Sequence, residues 1–165
     1  MKPLKLHELT SEQLRIVFDR FYNDHHAYGL LSSIHGYSFT ELAQETRSMS
    51  EGKASFAIVT PTEIVAVLRL EHIDWSSRLA RVYLAVHADV DVASTGNAIK
   101  TLLDTVYRFK GITRFYTYIL ALEQAEKIIL SELGFQKEVC LTEHLYTQGS
   151  YQDLEIWGTE RINLS

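Results

Sequence analysis

The chain has 165 residues, 46% of them hydrophobic and 22% charged, with a formal net charge of -5, which suits one domain with a sizeable core and is too short for two. A negative balance excludes a nucleic-acid binder that relies on a broad basic surface, and no window approaches the roughly 20 apolar residues of a membrane-spanning helix, so neither nucleic acid nor membrane is expected as a partner. Cys140 is the only cysteine, and the N-terminus (Lys2, Lys5, His7, Glu8) lacks the apolar run of a signal peptide; a soluble cytoplasmic domain spanning 1–165 is the expectation.

Alternation over Pro3 to Leu9 predicts an opening strand. Thr10 and Gln13 have capping-box spacing, and Leu14, Val17, Phe18, Phe21 and Tyr22 mark a helical stripe ending near Asn23. From Asp24 to Tyr37 the pattern has no clear period and predicts a loop. Its adjacent His25 and His26 diverge on a regular backbone with no further ligand at a metal spacing, so no metal is expected. Ser38 and Glu41 repeat the capping box ahead of a second helix that ends before Gly52.

From Ser55 the period changes to two. Ser55 to Thr60, Ile64 to Ile73 and Arg81 to Val86 predict three strands joined by short turns, an antiparallel meander. His87 to Thr95 reads as a polar loop, and Gly96 opens a helix whose apolar side is Ala98, Ile99, Leu102, Leu103, Val106 and Phe109. That crossover permits parallel pairing with a fifth strand at Arg114 to Leu120. A fourth helix through Ala125, Ile128, Ile129 and Leu133 stops at Gly134, and two strands follow, Phe135 to Leu145 and Tyr151 to Gly158, with a frayed end from Thr159. The fold class is α+β (α/β), a central mixed, mostly antiparallel sheet of about seven strands with four helices packed on both faces.

A helix N-terminus leaves N–H groups unpaired and carries partial positive charge, so Ser94 to Asn97 forms a candidate anion cradle. The stretch Asp91-Val92-Ala93-Ser94-Thr95-Gly96 resembles the acyl-CoA-binding segment of the GNAT family, the GCN5-related N-acetyltransferases, in which a Gln or Arg, two residues, Gly, one residue and Gly or Ala lie between strand 4 and helix 3. Leu133-Gly134-Phe135, Glu143 and Gln148-Gly149-Ser150-Tyr151-Gln152-Asp153 resemble the branch that acetylates ribosomal-protein N-termini and its small-molecule relatives. The element order is similar over about Pro3 to Gly158, which implies a single GNAT domain.

The resemblance implies acetyl transfer from acetyl-CoA, as co-substrate, to a primary amine of a small molecule or a peptide N-terminus. It implies a pantetheine arm along Leu84, Ala85 and Val86, and phosphates near Asp91, Val92, Ala93, Ser94, Thr95, Gly96 and Asn97. The chain departs from the family at four places: Asp91 stands for Gln or Arg, Ser94 for Gly, Glu123 for the Asn that faces the arm, and Leu130 for the Tyr that protonates the leaving thiolate. Those departures keep open an alternative, a non-catalytic protein that senses acyl-CoA or serves as an interaction module. An attacking amine must lose a proton and the thiolate must gain one. Glu71, His87 and Glu143 are the candidate bases, and Tyr118 the candidate replacement proton donor. The plain alternatives are a solvated strand face for Glu71 and a strand cap for His87. Tyr28, Tyr37, Tyr146 and Tyr151 are candidate walls for the acceptor, and the edge of the final hairpin could pair two chains as a homodimer.

Overall fold

The computed structural model describes residues 1–22, 38–47, 52–87, 89–147 and 149–159. The expected 24–37 loop, with His25, His26, Tyr28 and Tyr37, lies outside them. Strands β1 (Lys2–Lys5), β2 (Ala54–Val59), β3 (Ile64–Asp74), β4 (Leu79–Val86), β5 (Arg114–Leu120), β6 (Gln136–Thr147) and β7 (Ser150–Thr159) form one sheet in the order β1-β2-β3-β4-β5-β7-β6. Every neighbouring pair is antiparallel except β4 with β5.

Helices α1 (Ser11–Val17, continued by a π-turn at Phe18–Tyr22) and α2 (Phe39–Arg47) cover one face. Helices α3 (Val92–Lys110) and α4 (Gln124–Glu132) cover the other. The period of two decides which residue serves which core. Ala66, Leu68, Leu70, Val82 and Leu84 pack towards α3 and α4 with Ile99, Leu103 and Phe115. Val67, Tyr83 and Ala85 pack towards α1 and α2 with Val17, Phe21 and Leu42. Because β3 is central and covered on both faces, its first eight residues are all buried. Both expected capping boxes form: Thr10 Oγ1 accepts from the Gln13 N–H at 3.2 Å, and Ser38 Oγ from that of Glu41 at 3.2 Å, each with its reciprocal bond.

Phe109, expected on the apolar side of α3, is instead exposed in the helix's last turn, and three further expectations are corrected. Leu6–Glu8 is a 3-10 turn and not more strand, because the Glu8 carboxylate accepts the Lys5 N–H at 2.7 Å and turns the chain. Thr159 belongs to β7, buried and opposite Phe115. The third correction concerns the centre of the chain. Helix α3 starts at Val92, four residues before Gly96, because Asp91 is an N-cap whose carboxylate accepts the Ser94 N–H at 3.4 Å and the Ser94 hydroxyl at 2.6 Å. Gly96 is therefore a buried helical residue. A Cβ there would lie 3.4 Å from Glu132 Oε2 and 3.9 Å from Ile129 Cγ2, so the glycine serves the close approach of α3 and α4.

At the other end of α3, Gly111 closes the helix in the left-handed region, φ 69°, donating its N–H to the Tyr107 carbonyl at 3.1 Å. An added Cβ would meet nothing within 4 Å, so only backbone strain opposes substitution. Gly111→Ala is expected to lower unfolding free energy by about 1 kcal/mol, measured by urea denaturation. An unchanged midpoint would contradict this reading of the cap.

Candidate functional site

The site follows from where two strands part. β4 and β5 pair only through Leu79–Arg114, Ala80–Phe115 and Arg81–Tyr116. Beyond that branch point β4 runs on to Val86 and β5 to Leu120 with no ladder between them, leaving a gap roughly 16 Å long from Arg81 to Val86 at ~3.3 Å per residue. The Val86 N–H faces the gap, where it donates to Glu126 Oε1 of α4 at 3.0 Å, whereas the next N–H, that of His87, donates to Val65 of β3 at 2.9 Å. By the alternation of an extended strand, the N–H of Leu84 faces the gap as well.

At the branch point the face towards α1 and α2 carries a compact charged and aromatic group. Glu71, opposite Arg81 in the sheet, is buried and forms ion pairs with Arg69 at 2.5 Å, Arg81 at 3.3 Å and Lys53 at 3.7 Å. The solvated strand face offered as its plain alternative is therefore not what surrounds it. The Arg81 guanidinium lies 4.2 Å from the Tyr83 ring centroid and 5.5 Å from that of Tyr118, spanning the two strands as they separate. Tyr116 and Tyr118 meet edge to face with centroids 6.0 Å apart. Burial raises the Tyr116 phenol above its ordinary pKa, with the nearby Arg81 charge opposing the rise.

At the open end stand His87 and the start of α3. His87 is half-buried, and its Nδ1 accepts the Asp89 N–H at 3.4 Å. The first-turn N–H groups of α3 are those of Val92, Ala93 and Ser94, and that of Ser94 is taken by the Asp91 carboxylate at 3.4 Å, so the helix begins ahead of the stretch Ser94 to Asn97 expected as a cradle. The Thr95 N–H is already bonded to the Asp91 carbonyl at 3.0 Å, and Asn97 lies within the helix. Hydrogen bonds from the Ser94 hydroxyl and N–H hold the Asp91 carboxyl below its ordinary pKa.

The far wall is the start of α4. Glu123 Oε2 accepts the Leu120 N–H at 2.7 Å, ending β5, while Glu126 reaches across to Val86. Both side chains are buried. Lys127 pins the helix, donating to the Ala121 carbonyl at 2.9 Å and pairing with Glu155 of β7 at 3.0 Å. Burial pushes the Glu155 carboxyl up, but hydrogen bonds from Trp157 and Lys127 outweigh it and hold the group below its ordinary range. Leu130, in the place of the family's tyrosine, is 1% exposed in the core.

The fold thus brings Glu71 and Tyr118 to the branch point, and Leu84, Ala85, Val86 and Glu123 along the gap. His87 and Asp91 stand at its mouth. Glu143 stands apart: it is exposed on a bulge of β6 with φ 49°, its N–H held by Asp153 Oδ1 at 2.8 Å, and β7 lies between it and β5. Glu126 was missed in the sequence. Its signal is an acid one helical turn after Glu123, a spacing that puts both on one side of α4.

A sequence model described as an acetyltransferase (GNAT) domain matches residues 16–157. The chain belongs to the GNAT acetyltransferase family. No curated protein matches it by sequence. Solved structures match the fold of this GNAT domain over nearly its whole length. A spermidine N-acetyltransferase from Vibrio cholerae in complex with CoA and spermine is 17% identical, with TM-score 0.78 over 96% of this chain and 94% of that one. The dodecameric form of a spermidine N-acetyltransferase from the same organism is 17% identical, with TM-score 0.75 over 97% and 93%. The ribosomal L7/L12 α-N-protein acetyltransferase RimL in complex with coenzyme A is 14% identical, with TM-score 0.74 over 93% and 91%. Among the described residues no helix is long and apolar enough to cross a membrane.

The lowered Asp91 pKa makes a prediction with a definite sign. Its contribution to stability is complete above the unfolded value of about 3.9 and is lost as pH falls through the lower folded value. Asp91→Asn is expected to lower Tm at pH 6, with the difference from wild type closing as pH falls below about 3.9. Thermal unfolding across that range checks it, and a difference independent of pH would contradict the charged cap.

Proposed function

We propose that the protein transfers an acetyl group from acetyl-CoA to the primary amine of a small molecule or a peptide N-terminus. The observation that carries this reading is the gap between β4 and β5, lined by inward-facing N–H groups and opening onto a helix N-terminus. Such a gap fits an extended, amide-bearing arm whose phosphates lie at the α3 end, and the family match over 16–157 supports that use. The bound CoA in two of the solved neighbours supports it too. Acetyl-CoA supplies the activated thioester; the chain's own residues supply position and proton transfer.

In this reading Leu84, Ala85 and Val86 bind the arm through their backbone, with Glu123 at its far side. Asp91 to Asn97 flank the phosphate end, with Val92 and Ala93 as donors and Ser94, Thr95, Gly96 and Asn97 building the turn behind them. Tyr118, two residues past the branch point on β5, gives a proton to the leaving thiolate. Glu71 holds Arg81 in place and is the carboxylate beside the acyl end, able to take the amine's proton through water. His87, at the phosphate end, and Glu143, on β6 beyond β7, stand away from the acyl end, so the base's role offered to all three falls to Glu71 in this reading. The domain is read as single over 1–165 and as cytoplasmic, and the outer edge of β6 is the surface offered for a homodimer.

The test is release of free thiol from acetyl-CoA in the presence of a panel of polyamines, amino acids and short peptides. Saturable transfer to at least one amine is expected. Tyr118→Phe is expected to reduce kcat by about 100-fold or more while KM for acetyl-CoA changes little. A Tyr118→Phe enzyme with full kcat would remove Tyr118 from the chemistry. Absence of both binding and transfer in folded wild-type protein would overturn the reading.

A further inference from the structure

The Val86 N–H is the donor nearest the open end of the gap, and the protein's own Glu126 carboxylate accepts it at 3.0 Å. Glu126 comes from the first turn of α4, is only 8% exposed and enters the gap from the face opposite Arg81 and Tyr118. One turn earlier Glu123 does the same for the Leu120 N–H on the opposite strand. The two strands that have lost each other as partners are thus each completed by a carboxylate, which is what buried backbone donors demand.

We infer that Glu126 sets the protein's affinity for its acyl donor: the carboxylate stands where an amide carbonyl of the incoming arm must go, and binding requires it to let go of Val86. This rests on the donor reading above and adds to it a residue with a definite role. An N–H bonded to a carboxylate is held more tightly than one bonded to a neutral carbonyl. The arm therefore trades a stronger bond for a weaker one, and donor binding is correspondingly weakened. Because Lys127, the next residue, anchors α4 on Ala121 and Glu155, the release is a rotation of the Glu126 side chain and not a movement of the helix.

The test is titration calorimetry with acetyl-CoA on wild type, Glu126→Ala and Glu126→Gln, together with hydrogen exchange at the Val86 amide. Without ligand, Val86 should be protected in wild type and exchange faster in Glu126→Ala. Glu126→Ala should bind acetyl-CoA about tenfold more tightly. Glu126→Gln, which keeps the size and an acceptor oxygen, should gain less, and it carries the test if the alanine variant does not fold. If wild type binds acetyl-CoA and the folded variants bind it no better, or worse, this inference is overturned while the acetyltransferase reading stands. If no form binds acetyl-CoA, the donor reading itself falls and takes this one with it.

Discussion

Pairing between β4 and β5 stops after three residues, and the rest of the site depends on that stop. A parallel ladder that ran its full length would satisfy every N–H between the strands and leave no room for a ligand. Here Arg81, stacked on Tyr83 and reaching Tyr118, sits between the strands where they diverge, and buried Glu71 fixes it from β3. The divergence then creates a debt of hydrogen bonds along both strands, because an unsatisfied buried N–H costs about 1–3 kcal/mol. Glu126 and Glu123 meet part of it at Val86 and Leu120. The same groups that make the gap chemically useful are those the protein must otherwise satisfy itself.

The departures from the family pattern read differently once the geometry is known. Asp91 is an N-cap whose carboxylate is engaged with Ser94, so the two unusual residues of the loop form one device that starts α3. Glu123 closes β5, and Leu130 fills the core. Each therefore has a structural task in this chain. The charge at Asp91 still lies beside the expected phosphate position, and with Glu126 it gives the donor gap two carboxylates at its open end. In the proposed reading, that arrangement predicts a weak grip on the donor.

Much of the fold was legible in the sequence, because its signals are local. Thr10 with Gln13 and Ser38 with Glu41 announce helix starts by spacing alone, and the period-two stretches of the meander assign each residue to a face. The start of α3 was misread because Val92 and Ala93 look like loop residues until Asp91 is recognised as the cap that turns them. The site was less legible. That Glu71 would lie between guanidiniums and not in water depends on Arg69 beside it and Arg81 across the sheet. That Glu126 would enter the gap depends on the orientation of α4, set by Lys127 reaching Glu155 some thirty residues away. Glu143 matched a family position by sequence, yet the β6 bulge and Asp153 fix its backbone two strands from the gap.

The central claim is that the space between β4 and β5 is where the acyl donor lies. Its most direct test is a titration of isotopically labelled protein with acetyl-CoA, followed by backbone amide resonances. The account predicts saturable shifts concentrated at Leu84, Val86 and Val92 to Ser94, with Tyr118 and Leu120 on the facing strand. Saturable shifts confined elsewhere, for instance to the β6–β7 hairpin with Val86 unmoved, would contradict it.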